Sequence, residues 1–222
     1  MKQLSAAELA AFIDHTLLKP DATAADVDRV CAEALEHHFH SVCVHGSRVA
    51  RAYARLQESP VQVAAVVGFP LGAADRDAKR YETEVAVDQG AEEIDVVVNI
   101  GRIKDQDYQS VFRELRDVVE AAEERPVKVI LETCLLTRDE IVQVCSIAVD
   151  SGARFVKTST GFGAAGANVD HVRLMRETVG SEFGVKASGG IRDLETALRM
   201  IAAGATRLGT SAGVAIVKAC LV

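Results

Sequence analysis

Short runs of apolar, mostly β-branched residues recur along the chain and alternate with longer segments of helical periodicity. The short runs are typical of buried parallel strands, and the longer segments are typical of amphipathic helices. Predicted strands cover residues 13–15, 41–44, 61–67, 93–98, 127–131, 154–157, 183–186 and 206–208. Predicted helices cover residues 24–37, 77–89, 108–123, 139–150, 169–179 and 193–203, and a short helix precedes the first strand. This alternation predicts an α/β protein, a (β/α)8 TIM barrel formed by residues 1–222 as a single domain.

Residues at the segment ends support these helices. Side chains that commonly cap a helix N-terminus stand before three helical segments, at Thr23, Thr137 and Asp193. Glycines follow the last apolar turn of three segments, at Gly90, Gly152 and Gly204. Glycine suits that place because the backbone there is often left-handed. The predicted boundaries therefore rest on capping as well as on periodicity.

The positions of other glycines distinguish the barrel from an open doubly wound sheet. Such a sheet typically carries a glycine fingerprint after its first strand, whereas only Asp14-His-Thr stands at that place here. Glycines cluster instead after the late strands, where TIM barrels commonly build a phosphate site. The predicted phosphate and substrate contacts are Thr160, Gly161, Gly189, Gly190, Gly209, Thr210 and Ser211. For either glycine turn alone, an ordinary turn with a helix cap remains an equal alternative.

Charge and composition limit the kinds of partner. The 222 residues carry a net charge of −7, which argues against nucleic acids and anionic membranes because both attract clustered Lys and Arg. No apolar run is long enough for a membrane span, and no basic region followed by an apolar run opens the chain. The five cysteines are scattered without a CxxC pair, which favours reduced thiols. We therefore expect a cytoplasmic protein that acts on small molecules.

Polar residues that end the apolar runs are the candidates for catalysis, because a TIM barrel has its active site at the C-terminal ends of its strands. Lys157 and Lys186 end two neighbouring predicted strands, and Asp95 lies in an earlier one. Adjacent strands lie about 4.8 Å apart, so burial and like charge would lower the pKa of one lysine and leave an amine that can attack a carbonyl. Asp95 would then transfer protons, and Lys186 could hold Asp95, orient a water and keep Lys157 uncharged. Taken alone, Asp95 fits better as a buried carboxylate that pairs with loop amides or a neighbouring Lys. For either lysine alone, a side chain that extends to solvent remains an equal alternative.

Two other features are weaker candidates. The histidines around the second strand have no carboxylate or thiolate at a recognised metal-ligand spacing, so we expect no metal site; they are His37, His38, His40 and His45. Cys43 ends the second strand and is a candidate substrate contact, although a small buried apolar role suits it better.

Six blocks spread over nearly the whole chain resemble the signatures of the deoxyribose-phosphate aldolases. They are Ile13-Asp-His-Thr-Leu-Leu-Lys-Pro20, Val67-Gly-Phe-Pro-Leu-Gly72, Glu93-Ile-Asp-Val-Val-Val-Asn99, Lys128-Val-Ile-Leu-Glu-Thr133, Phe155-Val-Lys-Thr-Ser-Thr-Gly-Phe162 and Val185-Lys-Ala-Ser-Gly-Gly-Ile191. The resemblance implies reversible cleavage of 2-deoxy-D-ribose 5-phosphate to acetaldehyde and D-glyceraldehyde 3-phosphate. It implies a lyase of deoxyribonucleotide catabolism that needs no metal or organic cofactor and forms a homo-oligomer, a dimer or a tetramer.

The resemblance also implies a role for individual residues. Lys157 would form the Schiff base, Lys186 would tune its pKa and help to transfer protons, and Asp95 would be the proton donor and acceptor. Asp14 would belong to the wider polar network.

The chain departs from the family pattern in two places. After the second strand the family usually carries an aromatic residue or Asn followed by Pro, whereas this chain has His45-Gly46, which predicts a looser loop. The chain stops at Cys220-Leu-Val222, so we expect no contribution from a tyrosine-ended tail.

Two rival functions stay open from the sequence. One is an isomerase or synthase of phosphorylated sugars on the same barrel, which would use Lys186 or Asp95 without a covalent imine. The other is a non-catalytic protein that binds a phosphorylated metabolite, since a fold alone never establishes activity. Trapping a covalent imine with borohydride would separate the aldolase from the isomerase. Replacement of Lys157 with Met would leave the ligand affinity of a binding protein largely intact.

Overall fold

The computed structural model of the protein describes residues 4–221, so the prediction about the chain end at Val222 lies outside the described residues. Eight parallel strands close into a barrel in chain order, which confirms the predicted TIM barrel. The strands are β1 (Ile13–Thr16), β2 (Ser41–His45), β3 (Gln62–Val67), β4 (Glu93–Val97), β5 (Val127–Ile130), β6 (Phe155–Lys157), β7 (Gly184–Ser188) and β8 (Arg207–Thr210). That residues 1–222 form a single domain stays a prediction.

Ten α-helices within residues 4–221 surround or precede the strands. They are α1 (Ala6–Ala10), α2 (Ala24–His37), α3 (Val49–Leu56), α4 (Arg76–Asp88), α5 (Ile100–Lys104), α6 (Tyr108–Ala121), α7 (Arg138–Asp150), α8 (Val169–Val179), α9 (Leu194–Ala202) and α10 (Gly213–Ala219). None of the helices in this part of the chain is long and apolar enough to cross a membrane.

The capping signals mark the helices as predicted. Thr23 and Thr137 each accept a hydrogen bond from the third backbone N–H of their helix in a capping box, and Asp193 caps α9. The glycines after α4, α7 and α9 have positive φ angles of 102°, 88° and 112°. Three helices were not predicted, α3, α5 and α10, because none exceeds eight residues and so short a segment carries little periodic signal.

Side chains alternate along each strand between two environments. One set packs against the helices and forms the main apolar core, as Val42, Val44 and Val156 do. The other set points into the barrel. There, a small apolar group of Leu18, Cys43, Ala64, Val66 and Phe69 lies on the β2–β3 side. Charged side chains also point into the interior, and the part of the barrel that holds them contains the candidate site.

Candidate active site

Charged side chains fill the barrel interior where large apolar residues are usual. Within residues 4–221 seven of them project from the strands, and the most exposed has only 7% of its surface accessible. They are Asp14 of β1, Glu93 and Asp95 of β4, Lys128 of β5, Lys157 of β6, Lys186 of β7 and Arg207 of β8. Buried charges are tolerated only when they are paired and hydrogen-bonded, so their partners decide what the site can do.

Asp95 lies at the centre of this network and accepts hydrogen bonds from three lysines. Lys157 Nζ and Lys186 Nζ each lie 2.7 Å from its Oδ2, and Lys128 Nζ lies 2.7 Å from its Oδ1. The strand register explains the arrangement, because Lys128 is the direct neighbour of Asp95 across β4 and β5, and Lys157 is the direct neighbour of Lys186 across β6 and β7. The structure therefore brings together the three residues that the sequence predicted as catalytic.

Three of the four interior cations each bridge two carboxylates. Lys128 Nζ lies 2.6 Å from Glu93 as well as close to Asp95. Lys186 Nζ lies 2.5 Å from Asp14 in addition to its contact with Asp95, which puts Asp14 in the polar network. Arg207, whose guanidinium also lies over the Phe155 ring, contacts Asp14 at 2.8 Å and Glu93 at 3.1 Å.

Lys157 differs from the other cations because it contacts a single carboxylate oxygen and shares that oxygen with Lys186. Burial lowers the pKa of the Lys157 amine; Asp95 opposes this shift, and the positive charge of Lys186 adds to it. A lowered pKa increases the fraction of uncharged amine, which is the form that attacks a carbonyl. Lys157 therefore has the electrostatic environment of a nucleophile.

The pKa shifts of the other six charged groups all favour their charged forms. Burial alone would lower the pKa of Lys128, Lys186 and Arg207, but their carboxylate partners outweigh burial and raise it. Burial would likewise raise the pKa of each carboxyl group, but the surrounding cations dominate. They hold the pKa of Asp14 and Asp95 well below the usual range and lower that of Glu93 to about 2. These six groups stay charged at neutral pH.

A cavity of about 230 Å³ opens beside Lys157 at the C-terminal end of the barrel. Its lining consists of residues 16–19, Lys157, and residues 160–162, 188–192 and 209–211. Among the four interior cations, Lys157 alone belongs to this lining. A larger depression of about 430 Å³ lies outside the barrel near the starts of α4 and α6 and contains none of these charged residues. A ligand in the barrel cavity would thus meet one amine with a lowered pKa.

The far side of the cavity contains the predicted phosphate contacts. Gly161, Gly189 and Gly190 have φ angles of 88°, 85° and 79°, a left-handed backbone that favours glycine. The Ala167 N–H donates to the Ser188 and Gly189 carbonyl oxygens, which docks the loop after β6 onto the loop after β7. Gly209, Thr210 and Ser211 complete this side of the cavity. All seven predicted contacts therefore line a single cavity.

Glu132 holds the loop after β6 through Thr160. This buried residue follows β5 with a φ of 54°. The Thr160 hydroxyl and the Thr160 N–H, the latter at 3.2 Å, donate to Glu132 Oε2, and Cys134 Sγ lies 3.6 Å from the other oxygen. The carboxylate therefore fixes the position of Thr160 next to Lys157.

The side of the barrel opposite the phosphate contacts is apolar. Cys43 is completely buried against Leu18, Ala64 and Val66 and is not part of the cavity lining, so its contact with a substrate stays a prediction. Burial raises the pKa of its thiol, which suits an apolar role.

His45, at the first departure from the family pattern, is tied to its surroundings. Its Nε2 lies 3.0 Å from the Leu18 carbonyl oxygen, and its ring packs edge-on against Phe69, which in turn packs edge-on against Phe162. A 3₁₀ turn, Gly46–Arg48, continues directly from His45 into α3. In residues 4–221 no group of three or more His, Cys, Asp or Glu side chains is placed to hold a metal ion.

Nearly the whole chain matches one known protein family. The model of the DeoC/LacD family aldolases matches residues 9–219. This chain belongs to that family. The match spans all eight strands and therefore every charged residue of the barrel interior.

Individual members of the aldolase family are similar over nearly the whole chain. Deoxyribose-phosphate aldolase of Alkaliphilus oremlandii is 53% identical over 211 residues, which cover 95% of either chain. The same enzyme of Thermococcus kodakarensis is 53% identical over 95% of this chain and 96% of its own. The tetrameric deoxyribose-phosphate aldolase of Aeropyrum pernix superimposes with a TM-score of 0.92 at 32% identity, over 98% and 93% of the two chains. The family inferred from the six sequence blocks is confirmed.

Five charged residues of the barrel interior and the cavity were not among the predicted site residues. Glu93, Lys128 and Arg207 lie at or near the starts of their strands, away from the C-terminal ends where catalytic residues were sought. Lys19 and Arg192 line the cavity and add positive charge to it, but they lie in loops rather than at strand ends. The apolar neighbours of Lys128 mark it as a strand residue, but its direction follows only from its pairing with Asp95 in the structure.

Proposed function

We propose that this protein is a class I aldolase that reversibly cleaves 2-deoxy-D-ribose 5-phosphate to acetaldehyde and D-glyceraldehyde 3-phosphate through an imine on Lys157. The observation that carries the proposal is the position of Lys157. It is the one interior cation that lines the cavity, it contacts one carboxylate where the others contact two, and its pKa is lowered. The names of the relatives support the choice of substrate.

Carbon–nitrogen bond formation comes first. The uncharged Nζ of Lys157 attacks C1 of the open-chain aldehyde, and the carbinolamine that forms loses water to give an iminium ion. The positive iminium then draws the electron pair of the C2–C3 bond toward nitrogen. As this bond breaks, the C3 hydroxyl loses its proton, D-glyceraldehyde 3-phosphate leaves, and a two-carbon enamine stays on Lys157.

Proton return completes the cycle. The enamine takes up a proton at its terminal carbon to give the iminium of acetaldehyde, and hydrolysis of this iminium releases the aldehyde and the free amine. We assign the proton transfers to Asp95, which contacts Lys157, and to Lys186, which contacts the same oxygen of Asp95. Because neither lines the cavity, a water molecule would connect them to the substrate carbon and to the C3 hydroxyl.

Substrate orientation follows from the two sides of the cavity. The phosphate would bind at Gly189, Gly190, Thr210 and Ser211, with positive charge nearby from Lys19 and Arg192. The aldehyde end would then reach Lys157. Leu18, a member of the apolar group of the interior, also lines the cavity.

Assembly and location are part of the proposal. The Aeropyrum pernix relative is described as a tetramer, and we infer that this protein also forms a homo-oligomer. We place it in the cytoplasm, which is consistent with the free thiols of its five cysteines.

Borohydride trapping tests the proposed function. The protein is incubated with acetaldehyde and borohydride, digested, and searched by mass spectrometry for a two-carbon adduct. We expect one adduct on Lys157 and none on Lys79, a lysine that is equally buried but pairs with Glu114 outside the barrel. An unmodified Lys157, or labelling spread over surface lysines, would favour an isomerase that forms no imine.

A further inference from the structure

We propose that Lys128 is a positioning residue that holds the Asp95 carboxylate and balances negative charge that would otherwise keep Lys157 protonated. This inference rests on the proposed function, because it concerns the state of the same amine. Lys128 was not among the residues that the sequence predicted, and it does not line the cavity. Its effect on catalysis must therefore pass through other side chains.

The two carboxylate oxygens of Asp95 have different lysine partners. Lys128 Nζ lies 2.7 Å from Asp95 Oδ1, while Lys157 and Lys186 both contact Oδ2. Its side chain is completely buried, and a second contact of 2.6 Å to Glu93 fixes the ammonium group from the opposite side. With Oδ1 occupied, the carboxylate is held with its other oxygen turned toward Lys157 and Lys186.

Six of the other seven strands contribute ionisable groups around Lys157. The other ionisable groups inside the barrel are Asp14 of β1, Cys43 of β2, Glu93 and Asp95 of β4, Lys128 of β5, Lys186 of β7 and Arg207 of β8. β3 contributes only Ala64 and Val66 to the apolar group. His40, before β2, reaches Glu93 at 3.5 Å from the N-terminal end.

The balance of charges in the interior favours loss of the proton from Lys157. The three carboxylates are matched by the three cations that each bridge two of them, which leaves Lys157 as the cation in excess. Removing the charge of Lys128 would leave three carboxylates with two bridging cations. Lys157 would then supply the missing positive charge, and a larger fraction of it would be protonated at neutral pH.

Glu93 provides the opposite perturbation. It contacts Lys128 and Arg207 but not Lys157. Replacing Glu93 with Gln leaves the cations in greater excess, so the protonated form of Lys157 becomes less favourable. Two residues that do not touch the substrate should thus move the same titration in opposite directions.

The experiment measures the pH dependence of imine formation at Lys157. Each variant is incubated with acetaldehyde and cyanoborohydride over a pH series, and the initial rate of adduct formation on the Lys157 peptide is determined by mass spectrometry. The variants are Lys128→Met, Lys128→Arg, Glu93→Gln and Lys79→Met. Lys79→Met is the matched control, because it removes a lysine of equal burial whose partner is Glu114 outside the barrel. Thermal melts establish that each variant is folded, and kcat/KM is measured over the same pH series.

We expect the midpoint of the wild-type profile to rise by about one pH unit or more in Lys128→Met, the size of shift that one charge at contact distance across a carboxylate produces. Lys128→Arg keeps the charge and should restore a profile close to wild type. Glu93→Gln should lower the midpoint, and Lys79→Met should reduce stability without moving it. A folded Lys128→Met protein with an unchanged midpoint overturns the inference, as does a Glu93→Gln shift in the same direction. Absence of any adduct in the wild type would instead overturn the proposed function.

Discussion

Replacement of Asp95 by Asn tests whether amine attack and proton transfer depend on different side chains. The amide keeps the shape of the side chain but removes the negative charge that three lysines contact. Since the carboxylate of Asp95 raises the pKa of Lys157, its loss should leave Lys157 uncharged to a lower pH. We therefore expect the Asp95→Asn protein still to form the acetaldehyde adduct.

Turnover should fall far more than trapping. A positioned acid/base group contributes roughly 10²- to 10⁴-fold to a rate, so we expect kcat for cleavage of 2-deoxy-D-ribose 5-phosphate to drop by about that factor. Stability should fall too, because removal of one partner from a buried ion pair costs about 3–5 kcal/mol. Lys128 and Lys186 each retain a second carboxylate, which favours the lower figure of about 3 kcal/mol. A protein of this size would then melt roughly 10 °C lower.

The assays are a coupled measurement of released D-glyceraldehyde 3-phosphate, borohydride trapping at Lys157 and a thermal melt. Asp28→Asn is the control, because Asp28 also pairs with two cations, Arg51 and Arg55, but lies on the surface. It should change none of the three readouts appreciably. The separation of roles would be refuted if a folded Asp95→Asn protein kept kcat within about tenfold of wild type, or lost the adduct together with turnover.

Three other changes test the site and the network. Lys157→Met should abolish cleavage and the adduct while the melting temperature stays the same or rises, because it removes the excess interior cation; measurable turnover would contradict the nucleophile. Gly166 lies in the loop after β6, and Gly166→Ala would place a Cβ 2.1 Å from the Gly189 carbonyl oxygen. We therefore expect KM for the phosphorylated substrate to rise at least about tenfold in steady-state assays. An unchanged KM would argue against the phosphate contacts. The pKa of Glu93 falls from 4.5 to about 2 on folding, so its contribution to stability is complete above pH 4.5 and is lost as the pH falls toward 2. The urea midpoint of the wild type should decline as the pH falls over that range, and that of Glu93→Gln should decline less steeply. Equal slopes for the two proteins would contradict this role of Glu93.

The sequence predicted the catalytic end of the barrel better than its interior. Lys157 and Lys186 could be found because each ends an apolar run, and the fold places such ends together on one face. Lys128 lies inside a run, between Val127 and Val129, and alternation alone does not say whether such a residue points into the barrel or toward the helices. Only the pairing of Lys128 with Asp95 across β4 and β5 decides this, and strand register depends on contacts that are distant in the chain.

Loop residues of the cavity were harder still to predict. Lys19 and Arg192 lie in segments without periodicity, so the sequence offered no sign of where their side chains lie. Gly189 and Gly190 could be predicted because glycine itself indicates a backbone that other residues avoid. A loop backbone that requires glycine can thus be predicted from the sequence, whereas the direction of a loop side chain cannot.

The distribution of contacts explains why the pKa of Lys157 is lowered and why the barrel tolerates so many charges. The apolar core between strands and helices is separate from the interior, so the interior need not be apolar for the barrel to be stable. Within the interior, Lys128, Lys186 and Arg207 each gain two carboxylate partners, whereas Lys157 gains one and shares it. The proton is therefore lost most easily from Lys157, which is also the cation that borders the cavity. A fourth carboxylate near Lys157 would remove that difference, which makes the imbalance itself a requirement of the proposed chemistry.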